Sequence, residues 1–284
     1  MSLAIDTAQA AARRPGFSLL GLQGERLLVP ALLLAGWEVF SRTGYLPPAL
    51  LPAPSIVVHA WLDWIFAIDE TTQSYAGKWI FDAMASAIRV LSGFALAGAL
   101  GVVLGVAIGW WKLAEKAIEP TLQILRPIPP VSWIPLAIIW FGIANKPAIF
   151  LVFLATFFPV LMNTIHGVKT VDRNLIRAGS MMGANERQLL LFIVIPAALP
   201  SIFAGLRIAI GVAWMVTVTA EMVAVKSGLG YTLWDSYYFL RYDIVLAAMA
   251  SIGLLGFLSD LILKAVMGVV LHWQRTTTVQ GRED

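Results

Sequence analysis

The sequence predicts an all-α integral membrane protein with six transmembrane helices. Of its 284 residues, 59% are hydrophobic and 13% charged, and the mean hydropathy is +0.79. Soluble domains carry about 45–50% apolar and about 25% charged residues. The apolar residues also gather into runs long enough for spans, each of which needs about 20 residues. Between the runs lie short polar or proline-rich segments. The largest, Gly167 to Pro200, holds Lys169, Asp172, Arg173, Arg177, Glu186 and Arg187, so it is expected outside the hydrocarbon.

Residues 1–24 read as a cytoplasmic N-terminal segment, disordered or interfacial. Arg13 and Arg14 precede no apolar run with a cleavage site, so no removable signal peptide is expected. Residues 25–272 make the six-helix domain, and 273–284 a cytoplasmic tail. The first span is Arg26 to Ser41, short, with Glu38 near its outer end. Pro47, Pro48, Pro52 and Pro54 then fix an extended entry. Ser55 to Ile68 follows, amphipathic, with Trp61, Trp64 and Phe66. Tryptophan favours the membrane–water boundary. Two readings stand: a helix lying on the bilayer, or a surface for an external partner.

The second span, Phe81 to Gly109, is about 43 Å long at about 1.5 Å per residue. That exceeds a hydrocarbon core of about 30 Å, so it must tilt or protrude. Gly93, Ala97, Gly101, Gly105 and Gly109 recur at four-residue intervals, a seam that lets another helix come close. Trp110 to Glu119 reads as a charged turn. The third span, to Ile143, is broken by Arg126-Pro127-Ile128-Pro129-Pro130 and by Pro135. Broken backbone at membrane depth survives where it is buried in protein or lines a watery cavity, which makes it a candidate pathway element. After a turn at Ala144 to Pro147 come a fourth span, Ala148 to His166, the polar insert, and a fifth span, Ser201 to Val225. Lys226 to Tyr242 reads as a loop and Asp243 to Leu271 as the sixth span.

Within the insert, helix formers break at Gly183-Ala184-Asn185. That predicts two short helices joined by a bend, with Asn185 capping the second. Six spans place both termini on one side. Eleven basic residues fall on that side, including Lys112, Lys116, Lys169, Arg173, Arg177 and Arg187. Five fall on the other: Arg42, Lys78, Lys146, Lys226 and Arg241. The excess puts the termini and the insert in the cytoplasm.

Several chemistries are excluded. There is no cysteine, so no disulfide or thiolate chemistry. Gly77-Lys78-Trp79 lacks the first glycine and the hydroxyl of a P-loop. His59, His166 and His272 are not in ligand spacing, so no metal site is expected. No ion-coupling cluster or internal repeat of a secondary transporter is seen, and no catalytic constellation of an intramembrane enzyme. No nucleic-acid partner is expected.

Charge inside a membrane demands a partner or a function. Depth along the spans suggests Arg89 near Glu221, and Asp260 near Arg207 or Arg126. These are structural pairs, or one unpaired arginine attracts an anion. Trp214, Thr217, Val218 and Glu221 share one helical face, expected to point at a pathway, a neighbouring subunit or a packed helix. The candidate pathway set is Arg89, Arg126, Ser132, Trp133, Asn163, Trp214, Thr217 and Glu221.

The insert carries a resemblance. Arg177-Ala178-Gly179, three residues, Gly183, nine residues and Ile193-Val194-Ile195-Pro196 resemble the EAA loop of ABC-importer permeases. That pattern is Glu-Ala-Ala, three residues, Gly, nine residues, Ile-x-Leu-Pro. Here Arg replaces Glu, Gly replaces the second Ala, and Ile replaces Leu. Leu50-Leu51-Pro52-Ala53-Pro54, Leu125-Arg126-Pro127-Ile128-Pro129-Pro130, Gly205-Leu206-Arg207, Ala220-Glu221-Met222 and Gly228-Leu229-Gly230-Tyr231 are similar to the nitrate/taurine/alkanesulfonate/bicarbonate branch, nearest the taurine type.

The resemblance implies the type I importer (MetI-like) fold with a cytoplasmic coupling helix, in a bacterial cytoplasmic membrane. It implies a homodimer of this chain, two ATPase subunits docked on 167–200, and a periplasmic or lipid-anchored solute-binding protein. ATP would bind the partner, leaving this chain no cofactor and no enzymatic role. The solute would be small and anionic: nitrate, a sulfonate such as taurine, bicarbonate or similar. The residues implied in ATPase coupling are Arg177, Ala178, Gly179, Met182, Gly183, Ala184, Glu186, Arg187, Ile193 and Pro196.

Overall fold

The computed structural model describes residues 23–45, 47, 50–68 and 74–272. The expectations for residues 1–22 and 273–284, and for Pro48, lie outside the described residues. Within them every regular element is helical. The chain divides into two units, residues 1–57 and 58–284.

In the first unit, α1 (Gln23–Arg42) is a helix of 20 residues containing Pro30. Glu38 holds its end. Its carboxylate takes Arg42 Nε at 2.6 Å, one turn on, and the Ser55 N–H at 3.1 Å and hydroxyl at 2.9 Å. The proline segment thereby folds back, and α2 (Pro54–Phe66) starts on a proline, whose fixed φ suits a first turn.

In the second unit, four helices are long and apolar enough to cross a membrane. They are α3 (Trp79–Trp110), α6 (Asn145–Lys169), the helix from Glu186 to Ala224, and α11 (Tyr242–Val270). A fifth span results if α4 (Lys112–Leu125) and the segment Pro130–Phe141, bent by 85°, count as one. Against the six expected, four or five segments among the described residues have the length and composition of a span. Any 18-residue stretch of α1 includes Glu25, Arg26 and Glu38, too much charge for a span. Of the aromatic residues of α2, Trp64 is fully buried and Phe66 is 69% exposed.

The small-residue seam packs α3 on α6. A Cβ on Gly93 would lie 2.7 Å from Val152, on Gly105 2.6 Å from Thr164, and on Gly109 2.7 Å from Val168. Each is closer than carbon atoms can approach, so the bare backbone sets the helix separation. On its other side α6 meets the long helix by the same device: Gly205 lies beneath Asn163 and Gly167 beneath Ser201.

Three expected connections are helical instead. Trp110 to Glu119 is not a turn: Trp110 ends α3, and from Lys112 the chain is already α4. Ala114, Ile118 and Leu122, four residues apart, pack on the cluster that includes Ile108, Leu161 and Ile165, while Lys112 and Lys116 are exposed and Glu115 and Glu119 meet Lys169 of α6. Lys226 to Tyr242 contains α10 (Leu229–Tyr238), entered through Gly228 at φ 109°. The fifth span does not begin at Ser201. α8 (Glu186–Leu189), a π-helical turn (Leu190–Val194) and α9 (Ile195–Ala224) form one continuous helix. The widened turn sits just ahead of Pro196, which has no N–H to give. The third-span break is found as expected: α4, then a 3-10 turn (Pro130–Trp133), then α5 (Ile134–Phe141).

Candidate functional site

The polar insert folds as two helices around a glycine bend, as its residues predict. α7 (Arg173–Met181) is capped by Asp172, whose carboxylate accepts the Asn174 N–H at 2.8 Å. Gly183 takes φ 84°, a left-handed conformation in which its Cβ position faces open space. Glycine is needed there for backbone freedom, not for room. Asn185 then caps α8 in a reciprocal box: Asn185 Oδ1 accepts the Gln188 N–H at 2.9 Å, and Gln188 Oε1 accepts the Asn185 N–H at 2.8 Å.

Gly179 is the buried point of contact between the two helices. Its Cβ position lies 2.5 Å from Ile193 Cδ1 and 2.7 Å from Leu189 Cδ2. A cleft of about 420 Å³ opens beside it, lined by Gly179, Met182, Gly183, Ala184, Gln188, Phe192 and Ile193. Five of the ten coupling residues are thus brought together. Met182, which lines it, is 82% exposed, and its neighbour Met181 87%. Arg177, Ala178 and Arg187 are exposed outside the cleft, and Pro196 sits in the first turn of α9. Glu186 points away from the cleft, to the end of α3, where it accepts from both Trp110 and Trp111.

At the opposite end of the spans lies a buried charged node. Arg89 Nη1 meets Glu221 Oε1 at 2.5 Å, with both side chains at most 2% exposed. The remaining donors are met as well: Nε by Asn145 Oδ1 at 2.9 Å, Nη1 by the Ser227 carbonyl at 2.8 Å, and Nη2 by the Ser227 hydroxyl at 2.6 Å. Glu221 Oε2 accepts the Ser86 hydroxyl at 2.9 Å and the Gly230 N–H at 2.8 Å. Every strong partner of the pair is supplied, which a buried ion pair requires. Nearby, Tyr75 donates to Asp235 at 2.8 Å. Burial and that carboxylate push the phenol well above its ordinary value, so it stays a donor.

Of the three readings for the face of Trp214, Thr217 and Glu221, the contacts within this chain match the packed helix: the face turns into its own subunit. Trp214 donates to Ser259 on α11 at 3.1 Å, and Thr217 to its own helix at Ala213. All three side chains are buried. Asn163, which donates to the Pro159 carbonyl at 2.8 Å, packs at the α6–α9 crossing. Arg89 is likewise buried and paired. Arg207 and Asp260 form the second expected pair, bidentate at 2.8 Å for both contacts, with side chains 40% and 37% exposed. The bent segment is different. Ser132 is exposed, and Trp133 is half-buried, 6.4 Å from Trp140 and 6.5 Å from Phe150 between ring centres. Arg126 is exposed at the end of α4 and, among the described residues, meets no carboxylate.

The tryptophan contacts of Glu186 were not foreseen from the sequence. Two adjacent tryptophans and an acid at the start of α8 were the available signal, but nothing local pairs residues 75 and 76 positions apart.

A family profile described as the binding-protein-dependent transport system inner membrane component matches residues 97–268. A putative ABC transporter permease protein of Methanocaldococcus jannaschii is 37% identical over 252 residues, 88% of this chain and 92% of that one. The taurine transport system permease protein of Escherichia coli strain K12 is 34% identical over 244 residues, 86% and 87% of the two chains. Among solved structures, the inward-facing MetNI methionine ABC transporter matches with a TM-score of 0.54 at 19% identity, over 66% of this chain and 95% of that chain. At that identity the likeness concerns the fold alone.

Proposed function

The chain belongs to the family of binding-protein-dependent transport system inner membrane components, and on that premise we propose how it works as the membrane subunit of an ABC importer. The insert around Gly183 docks a separate ATPase subunit on the cytoplasmic side. That subunit binds and hydrolyses ATP, since this chain has no P-loop. A solute-binding protein delivers the solute on the other side, in a cytoplasmic membrane.

The observation that carries the docking reading is the cleft of about 420 Å³ beside Gly183. A cleft lined by the exposed Met182 suits a protruding partner side chain, because the thioether adapts its shape to what it meets. Continuity of α8 with α9 supports direct transmission into a span. The expected assembly is two permease copies with two ATPases. A half-exposed Arg207–Asp260 pair is a poor neighbour for lipid, which favours a second copy or an aqueous pathway beside it.

The solute is small and anionic, a sulfonate such as taurine or an inorganic oxyanion such as nitrate. With Arg89 and Arg207 neutralised by carboxylates, Arg126 is the arginine positioned to attract an anion, beside the bent segment with Ser132 and Trp133. Selection then falls to the binding protein. The test is retention of ATPase subunits on affinity-tagged permease purified from membranes. Gly183→Arg, which puts a long cation beside the cleft, is expected to abolish retention while the permease stays monodisperse. Full retention in that variant sinks the docking reading.

A further inference from the structure

We propose that Glu186 clamps the joint between α3 and α4, so that movement of the docking insert reaches the bent α4–α5 element as well as α9. This deepens the docking reading and rests on it for its purpose, although the clamp itself can be measured without a partner.

The joint is one residue long. α3 ends at Trp110, α4 begins at Lys112, and Trp111 between them is extended at φ −97°, ψ 116°. The indoles of Trp110, the last residue of α3, and of Trp111, the joint residue itself, donate to the same oxygen, Glu186 Oε1, each at 3.1 Å. An indole N–H can only donate, and a carboxylate oxygen can take more than one donor. Glu186 is the first residue of α8 and is itself fixed by the Asn185–Gln188 capping box. The backbone that carries the acceptor is therefore ordered, and it stands on the insert.

The two rings play unequal parts. Trp110 packs on Val168, Val194 and Ala198, so its ring has an apolar reason to be where it is. Trp111 is 46% exposed, so the bond to Glu186 is what directs its ring. A second tie lies one turn along α4, where Lys169 Nζ reaches Glu115 at 2.7 Å and Glu119 at 3.4 Å. Beyond it, α4 leads to Arg126 and the 85° bend. A carboxylate holding both the last residue of α3 and the single joint residue limits the angle at which α4 leaves α3. Displacing Glu186 changes that angle at its weakest point. Glu186 acts through the tryptophans, so it is a positioning residue.

The chain has no cysteine, so spin labels on Lys116→Cys (α4) and Leu191→Cys (the π-helical turn after α8) report the α4–insert distance cleanly. In the full-length permease in nanodiscs, the parent should give a narrow distribution. Trp110→Phe/Trp111→Phe keeps both rings and removes both donors. It should broaden the distribution roughly twofold, as expected when one conformer becomes several. Glu186→Ala should do the same, and Glu186→Gln, which keeps an acceptor oxygen, should restore the narrow distribution. Unchanged distributions in Glu186→Ala and in the double phenylalanine variant overturn the clamp, and so does failure of Glu186→Gln to rescue. ATPase retention on the same samples is read separately. Its loss in the parent sinks the docking reading and leaves the clamp result standing.

Discussion

Arg89 and Glu221, 132 residues apart in the chain, meet at 2.5 Å and tie the N-terminal part of α3 to the C-terminal end of α9. Ser227, Ser86, Asn145 and the Gly230 amide complete the shell. Removing one partner from such a pair strands a buried charge, at a cost of about 3–5 kcal/mol. Arg89→Ala and Glu221→Ala should each sharply lower the unfolding temperature in detergent. Arg89→Met/Glu221→Leu should lose less than the sum of the two, because no lone charge is left. Strict additivity would show that the two charges do not interact in the native protein.

Arg207 and Asp260 offer an internal contrast. Their contact is bidentate, yet both side chains are more than a third exposed. A partly solvated pair contributes less, and a lone charge there can be hydrated. Asp260→Asn should therefore lower the unfolding temperature less than Glu221→Gln does. The reverse order would show that Asp260 is enclosed in the assembly, for instance by a second copy.

The glycine seam makes a steric prediction. A side chain at Gly105 would lie 2.6 Å from Thr164 Cβ and 3.0 Å from the Leu161 carbonyl. The carbonyl belongs to a helix and cannot step aside, so α3 and α6 must part. Overpacking of this kind costs about 1–3 kcal/mol. Gly253→Ala on α11, where no atom lies within 4 Å, serves as the control and should be neutral. Thermal unfolding of Gly105→Val against Gly253→Ala measures the difference, and equal stabilities would refute the close α3–α6 contact.

What the sequence made legible follows from which signals are local. The seam of Gly93 to Gly109 and the proline break at 127–130 are periodic or steric statements within one segment, and both are found in place. The Arg89–Glu221 pair was reachable because depth along a span is arithmetic. α4 was misread because its charges outnumber the apolar residues that hold it, Ala114, Ile118 and Leu122. α10 was misread because Gly228 and Gly230 look like loop residues. In fact Gly228 supplies a left-handed entry, and Gly230 lets α10 approach Val218 and Glu221. The inward turn of Trp214 and Thr217 depended on where α11 sits, which no local pattern records.

Gly179 and Gly183 separate two reasons for glycine within one motif. An alanine at Gly179 restores the residue type of the EAA pattern, and its Cβ would press only on Ile193 Cδ1 and Leu189 Cδ2, the mobile ends of their side chains. Those ends can rotate away, so Gly179→Ala should be mild. An alanine at Gly183 meets no atom, yet φ is +84°, where a Cβ costs about 1–2 kcal/mol. Gly183→Ala should therefore loosen the bend between α7 and α8 and lower ATPase retention, despite adding its methyl to empty space. Asparagine tolerates the left-handed region better than alanine, so Gly183→Asn should retain more ATPase than Gly183→Ala although it is larger. Retention that instead falls with side-chain size would mean that Gly183 is needed for room against the partner, and the conformational account of the bend would be wrong.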